Sequence, residues 1–135
     1  MVSTRGKVKD WDKIHKALNA PVDLTIPVAV IVDRGSASAS EIVSGSLQDL
    51  DRGVVIGQRS YGKGLVQQTR PLSYNAQLKV TVAKYYTPSG RCIQALDYSH
   101  RNEDGSVAKV PDSLITAFKT KNGRIVYDGG GIEPD

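Results

Sequence analysis

The first part of the chain changes from a continuous apolar run to apolar residues at helical spacing. Residues Pro27 to Val32 form a short, nearly unbroken apolar run, which is typical of a central strand buried on both faces. From Ile42 to Leu50 the apolar positions recur at helical spacing. A second β-branched run, Gly53 to Gly57, follows a short turn. This order predicts a βαβ unit whose two strands are parallel, and an α/β fold class.

The flanking sequence predicts mainly strands. Val2 to Val8 resembles an exposed strand and turn, whereas Trp11 to Leu18 is typical of one or two irregular helical turns. Residues 65–69 have a short strand pattern. Residues 77–87 alternate well enough to predict a long strand with one solvated face.

The junction between the first run and the helix contains Ser36, Ser38 and Ser40. Ser38 and Glu41 have the S-x-x-E spacing of a capping box, in which the two side chains satisfy the first amides of a helix. Ligands and nucleophiles also collect where a strand leads into a helix N-terminus. Caps are commoner than nucleophiles, so this stretch alone favours capping. A nucleophilic serine would also need a base.

Lys63 lies between two glycines, and its surroundings have two functional interpretations besides a solvated turn. Gly57 through Lys63 fits most of a phosphate-binding P-loop, but Gly64 stands where Ser or Thr should bind magnesium, and a strand pattern follows. Alternatively, the ends of two adjacent strands bring Lys63 beside Ser38, where the amine acts as a base. That role requires burial or neighbouring positive charge to lower a lysine pKa from about 10.4. Gln67 is placed to orient the amine.

Composition narrows the function classes. The chain has 135 residues, of which 39% are apolar, and this suits one domain with one core. Its net charge of +4 comes from dispersed basic residues with little aromatic interleaving, which argues against nucleic-acid binding. Cys92 has no companion at metal-ligand spacing, so we predict neither a metal nor another cofactor. His15 and His100 lie in polar segments, which gives a serine–histidine triad little support.

Several spaced motifs agree with one another: residues 36–42, Gln48 with Asp49, 62–67, 83–91 and 130–135. Together they closely resemble the carboxy-terminal processing peptidases, also called tail-specific proteases. In that family the middle serine of the S-A-S-A-S run is the nucleophile, and a glycine-flanked lysine 25 residues later is the base. By this resemblance Ser38 is the nucleophile and Lys63 is the base.

The same resemblance implies roles for three more residues. Gln67 matches the partner of the lysine, and the backbone amide of Ala39 would supply one oxyanion donor. Asp49 corresponds to an acidic residue that supports the site, although it is equally compatible with helix-end surface. The implied fold is a crotonase/ClpP-like core of repeated ββα units. The chain would be the carboxy-terminal part of that core.

Residues 97–129 depart from the compact family pattern, and we interpret them as an insertion. Within them the sequence predicts a hairpin around Asn122 and Gly123, between Lys119 and Tyr127. The family usually carries a PDZ domain and an upstream glycine-rich strand end that supplies the second oxyanion donor. Neither is found in these 135 residues. We therefore expect a serine endopeptidase that cleaves near carboxy termini in the full-length protein, and an inactive chain by itself.

The resemblance also implies a cellular compartment and binding partners. It suggests a bacterial cell-envelope or periplasmic protease that binds protein or peptide substrates through their carboxy termini, with a PDZ domain in cis. Homo-oligomerisation stays open. The chain carries no address of its own, because its first 25 residues lack a signal-peptide core and no apolar run approaches about 20 residues. The alternative functions are a non-catalytic peptide-binding module that uses β-augmentation and a degenerate P-loop nucleotide binder.

Overall fold

The computed structural model describes residues 1–135 and has a mixed α/β fold, which confirms the predicted class. The elements are β1 (Val2–Arg5), β2 (Lys13–His15), β3 (Ala29–Val32), α1 (Ala39–Asp49), β4 (Val54–Gly57), β5 (Leu65–Pro71), β6 (Gln77–Tyr86), β7 (Leu96–Arg101), β8 (Val107–Lys109), β9 (Ala117–Lys119) and β10 (Ile125–Tyr127). Short 3-10 turns occur at Lys9–Trp11, Ser73–Asn75 and Asp112–Leu114. None of the helices has the length and apolar character needed to cross a membrane.

Strands β3 and β4 with helix α1 form the predicted βαβ unit. The two strands are parallel, with Val30 opposite Val55. On one face, Val32 and Val55 pack with Ile93 and Ile132 to form the buried core of the chain. On the other face, Ile31 is 83% exposed. The prediction of a strand buried on both faces is therefore wrong for this chain, because packing covers only one side of the two-stranded sheet.

A second sheet has four antiparallel strands in the order β2-β1-β6-β5. The strand predicted at residues 77–87 is confirmed as β6, and the one predicted at 65–69 continues to Pro71. The helical turns predicted between Trp11 and Leu18 are wrong in part. One 3-10 turn ends at Trp11, and Lys13–His15 pairs with β1 as a strand, since residues of alternating polarity gain ladder hydrogen bonds there.

Two hairpins and the carboxy-terminal segment complete the chain. The hairpin predicted between Lys119 and Tyr127 is confirmed as β9–β10. The polar segment around His100 forms the end of β7 and the turn that leads into β8. The last residues lie along β4. The backbone N–H of Asp135 donates to the carbonyl of Val55 at 2.9 Å, and its carboxylate accepts from the N–H of Val55 at 2.8 Å. The chain end is thus hydrogen-bonded to the βαβ unit.

Candidate active site

The turn between β3 and α1 holds Ser38 in an uncommon backbone conformation. Asp33 Oδ1 accepts hydrogen bonds from the N–H groups of Gly35 and Ser36, both at 2.9 Å, and so tightens the turn. Two residues later, Ser38 has φ 57° and ψ −114°. A residue other than glycine in such a region costs on the order of 1–3 kcal/mol, and these conformations cluster at functional sites. Sequence reasoning gave no sign of this strain.

The predicted capping box at the start of α1 is present. Glu41 is fully buried, and its Oε2 accepts a hydrogen bond from the backbone N–H of Ser38 at 2.8 Å. A carboxylate near the helix N-terminus is favourable because the first amides of the helix present partial positive charge. Ser38 and Glu41 therefore form the predicted capping pair, although the backbone of Ser38 is strained.

Glu41 also binds the loop that carries Lys63. Oε2 accepts a second hydrogen bond from the backbone N–H of Lys63 at 2.8 Å. Oε1 accepts from the hydroxyl of Ser60 at 2.5 Å and from the N–H of Gly62 at 2.6 Å. One carboxylate oxygen therefore binds the backbones of both Ser38 and Lys63. The sequence predicted only the local capping role of Glu41, because its partners 19 to 22 residues later form no recognisable spacing pattern.

Lys63 lies on an exposed part of this loop although the glycines beside it are buried. The glycines are needed for close packing. A Cβ on Gly62 would lie 2.4 Å from the Cβ of Ala95, and φ at Gly62 is +89°. The two glycines thus permit a close approach, but to Gln94 and Ala95 and not, as predicted, to the Ser38 turn. The burial that a lysine base requires is absent from the chain itself, because no element covers the Lys63 side chain.

Two other predicted site residues, Ala39 and Gln67, lie close to Ser38 and Lys63, respectively. Ala39 is the first residue of α1, so its N–H is one of the amides that the helix leaves without an acceptor. Gln67 lines the same cleft as Lys63, but its side-chain amide donates to Thr81 Oγ1 at 3.5 Å, and no hydrogen bond joins Gln67 to the Lys63 amine. The P-loop alternative is wrong, since β5 follows the Gly-Lys-Gly turn where a phosphate-binding helix should begin.

Asp49 lies at the opposite end of α1, about 16 Å along the helix from Ser38. It is 2% exposed, so its interpretation as helix-end surface is wrong. Its carboxylate forms an ion pair with Arg91 at 2.8 Å and accepts from the N–H of Ser89 at 3.0 Å. Burial lowers the pKa of Arg91, and the charge of Asp49 opposes that shift. The contacts of Asp49 hold the loop after β6 against the helix.

The carboxy-terminal motif reaches the candidate site through Ser60. The N–H of Ile132 donates to the hydroxyl of Ser60 at 2.7 Å, and that hydroxyl donates to Glu41. Gly131 has φ +74°, and a Cβ there would lie 2.8 Å from the Ser60 hydroxyl. A glycine is therefore required for the chain end to approach Ser60. The hydrogen bonds connect three distant stretches of sequence at one buried carboxylate.

Comparisons with known proteins agree with the motifs. Residues 1–100 match the model of "Peptidase family S41". The "Carboxy-terminal-processing protease" of Bartonella bacilliformis is 48% identical over 97 residues, which cover 71% of this chain and 22% of the relative. The "C-terminal processing peptidase, chloroplastic" of Tetradesmus obliquus is 43% identical over 86 residues, covering 64% of this chain and 18% of the relative.

A solved structure is also similar. "Photosystem II D1 C-terminal processing protease" is 47% identical, with a TM-score of 0.49 over 52% of this chain and 18% of that chain. The chain thus spans about a fifth of the length of the relatives that it matches.

Proposed function

Because the chain belongs to peptidase family S41, we propose that the full-length gene product is a serine endopeptidase that cleaves proteins near their carboxy termini. Ser38 is the proposed nucleophile and Lys63 the proposed base. The names of the relatives describe carboxy-terminal processing and so support the proposed substrate class. Protein or peptide substrates are therefore the proposed partners.

One observation carries the assignment of the dyad: Glu41 Oε2 binds the backbone N–H groups of both Ser38 and Lys63, each at 2.8 Å. Two residues that are 25 positions apart are thereby held on either side of one buried oxygen. The strained φ of Ser38 adds support, because sharp strand-to-helix turns of this kind expose nucleophilic serines in other hydrolases.

The proposed reaction follows from these positions. The neutral amine of Lys63 takes the proton of the Ser38 hydroxyl while the serine oxygen attacks the carbonyl carbon of the peptide bond. The backbone N–H of Ala39 donates to the oxyanion that forms. The carbon–nitrogen bond then breaks, and the lysine ammonium gives its proton to the leaving amine. Lys63 then takes a proton from water as the water oxygen attacks the acyl ester, and the lysine ammonium returns this proton to the Ser38 oxygen as the ester bond breaks. Gln67 is the proposed partner that orients the amine.

We propose further that the 135-residue chain is inactive by itself. A lysine base requires shielding from water, and the Lys63 side chain is exposed in this chain. Ala39 supplies only one of two oxyanion donors, and loss of a single donor costs about 10² to 10³ in rate. Covering residues are therefore expected elsewhere in the gene product.

The wider architecture is also a proposal. The chain is taken as the carboxy-terminal part of a crotonase/ClpP-like core of repeated ββα units, with residues 97–129 as an insertion and a PDZ domain in cis. The proposed compartment, the bacterial cell envelope, follows the family resemblance. The matched relatives include bacterial and chloroplast proteins.

The decisive experiment compares three serine variants of the full-length gene product on an unstructured peptide with an apolar carboxy terminus. Ser38→Ala is expected to abolish cleavage. Ser36→Ala and Ser40→Ala are expected to act through turn or cap stability, on the order of 1 kcal/mol. Loss of cleavage in Ser36→Ala or Ser40→Ala but not in Ser38→Ala would show that the registration is wrong.

A serine-directed phosphonate distinguishes the protease from the peptide-binding alternative. The protease should be labelled at Ser38, and Lys63→Ala should slow that labelling because the hydroxyl loses its base. A module that binds peptides by β-augmentation would bind the peptide and leave the phosphonate unreacted.

A further inference from the structure

A cleft of about 560 Å³ opens beside Lys63, and one of its walls comes from strand β7. Its volume lies within the range of about 300 to 1,000 Å³ that is usual for ligand sites. The cleft is lined by Lys63, by Ala37, which is next to the proposed nucleophile, and by Leu96 and Tyr98 of β7. The cleft is therefore continuous with the proposed catalytic centre.

The two residues just before strand β7, Gln94 and Ala95, are hydrogen-bonded to the loop of Lys63. The N–H of Ala95 donates to the carbonyl of Gly62 at 2.9 Å. The side-chain amide of Gln94 accepts from the N–H of Gly64 at 2.8 Å and donates to the carbonyl of Leu96 at 3.1 Å. These bonds flank Lys63 on both sides. The start of β7 therefore has a definite position relative to the proposed base.

Leu96 and Tyr98 are two residues apart in β7, so their side chains project from the same face of the strand. Both line the cleft, whereas Asp97, which lies between them, does not. Tyr98 is 49% exposed, which leaves much of its ring available to a bound group. The two residues thus form an apolar wall of the cleft that Lys63 also lines.

The remaining lining suits a neutral, apolar group. Ala37, Tyr61 and Leu65 add apolar surface, and no carboxylate is among the lining residues. Gln67 and Gln94 are polar but carry no charge. Lys63 is the single basic residue of the cleft. In the proposed reaction its amine is neutral before attack, so a charged substrate side chain would enter without a partner, at a cost that an apolar side chain avoids.

We propose that Leu96 and Tyr98 are specificity-determining residues, which admit a small or medium apolar side chain flanking the scissile bond and limit its size. This inference rests on the proposed function. Tyr98 sets the limit on size because it is the largest side chain on the β7 wall. The β7–β8 hairpin would therefore determine which substrates are cleaved.

The test measures kcat/KM of the full-length gene product for matched peptides that differ only next to the scissile bond, on either side of it. Alanine, leucine, phenylalanine and aspartate are placed there in turn. The wild type is expected to prefer alanine or leucine at one of these positions. Tyr98→Ala should raise the phenylalanine-to-alanine ratio there by about 10-fold or more, since pocket contacts of this size are worth 10-fold to 200-fold.

Three further variants separate specificity from stability. Tyr98→Phe keeps the ring and should keep the wild-type ratio, and Leu96→Ala should raise it as Tyr98→Ala does. Tyr127→Ala is the matched control, because Tyr127 is also half exposed on a strand, at 54%, and lies outside the cleft. A ratio compares two substrates in one preparation, so a loss of folded protein leaves it unchanged.

The outcomes distinguish this inference from the function on which it rests. Active Tyr98→Ala and Leu96→Ala enzymes with unchanged ratios would overturn the assignment of specificity and leave the dyad intact. Active enzymes whose ratios rise only in the two β7 variants would support it. A wild type that cleaves none of the peptides, while Ser38 fails to react with a phosphonate, would overturn both.

Discussion

The two ends of helix α1 each bury a carboxylate, but they satisfy it in different ways. At the N-terminal end, Glu41 is bound by three backbone N–H groups and the hydroxyl of Ser60. At the C-terminal end, Asp49 is bound chiefly by the guanidinium of Arg91. A carboxylate is favoured by the helix dipole at the first position and disfavoured at the second, where the cation of Arg91 offsets the unfavourable field.

This difference gives the N-terminal end of α1 a role in the proposed catalysis and the C-terminal end a role in stability. Backbone donors hold the Ser38 turn and the Lys63 loop together without using the side chain of Lys63, which stays available for chemistry. At the other end, the charged side chains bind one another and the nearby backbone, so little is left for a substrate. We therefore expect substitutions at the N-terminal end to lower activity and substitutions at the C-terminal end to lower stability.

Lys63→Ala should have the largest effect. In the full-length gene product it should lower kcat for peptide cleavage by at least about 10²-fold, because the serine loses its general base. Steady-state kinetics checks the rate, and thermal unfolding checks the fold. The melting temperature should stay close to that of the wild type, since the Lys63 side chain is exposed and alanine keeps the N–H that binds Glu41. Near-normal turnover would contradict the dyad.

Asp49→Asn comes next, and its effect should be on stability. Removing one partner of a buried ion pair leaves the charge of Arg91 uncompensated and costs about 3 to 5 kcal/mol. Denaturant unfolding of the full-length gene product measures this loss. Asp10→Asn, at an exposed position, is the matched control and should change stability by less than about 0.5 kcal/mol.

The peptide-cleavage rate of Asp49→Asn tests whether Asp49 also supports the proposed catalytic centre. Well below the unfolding midpoint, the folded Asp49→Asn enzyme should cleave peptides at nearly the wild-type rate, because Asp49 lies about 16 Å along the helix from Ser38. A folded variant with little activity would show that Asp49 acts on the site directly, as the family resemblance implies.

Glu41→Gln should lower stability by less than Asp49→Asn does, and it should also lower the rate of cleavage. The glutamine amide places an N–H₂ group among four donors, so at least one buried donor is left unsatisfied at a cost of about 1 to 3 kcal/mol. We expect kcat to fall as the Ser38 and Lys63 backbones separate. Glu103→Gln, at an exposed position, is the control. Full activity in Glu41→Gln would show that the shared carboxylate does not hold the dyad.

Local sequence patterns predicted those features that depend on neighbouring residues. Alternating and continuous apolar runs located β3, β4, β5 and β6, and an Asn-Gly turn located the β9–β10 hairpin. The spacing of Ser38 and Glu41 predicted the capping box, and the glycines beside Lys63 indicated a closely packed loop, although not its partner. Each of these depends on local periodicity, capping or turn chemistry, whose energies act within a few residues.

Tertiary packing sets which distant groups come into contact and which stay exposed to solvent. Glu41 meets Ser60, Gly62 and Lys63 because packing brings a second loop onto the helix N-terminus. Asp49 meets Arg91 across 42 positions, and no local pattern encodes that pair. Likewise, an apolar run predicts a strand but not what covers it, so the exposure of Ile31 was not predictable. Burial is a property of the packed elements around a residue, whereas periodicity is a property of the residues beside it.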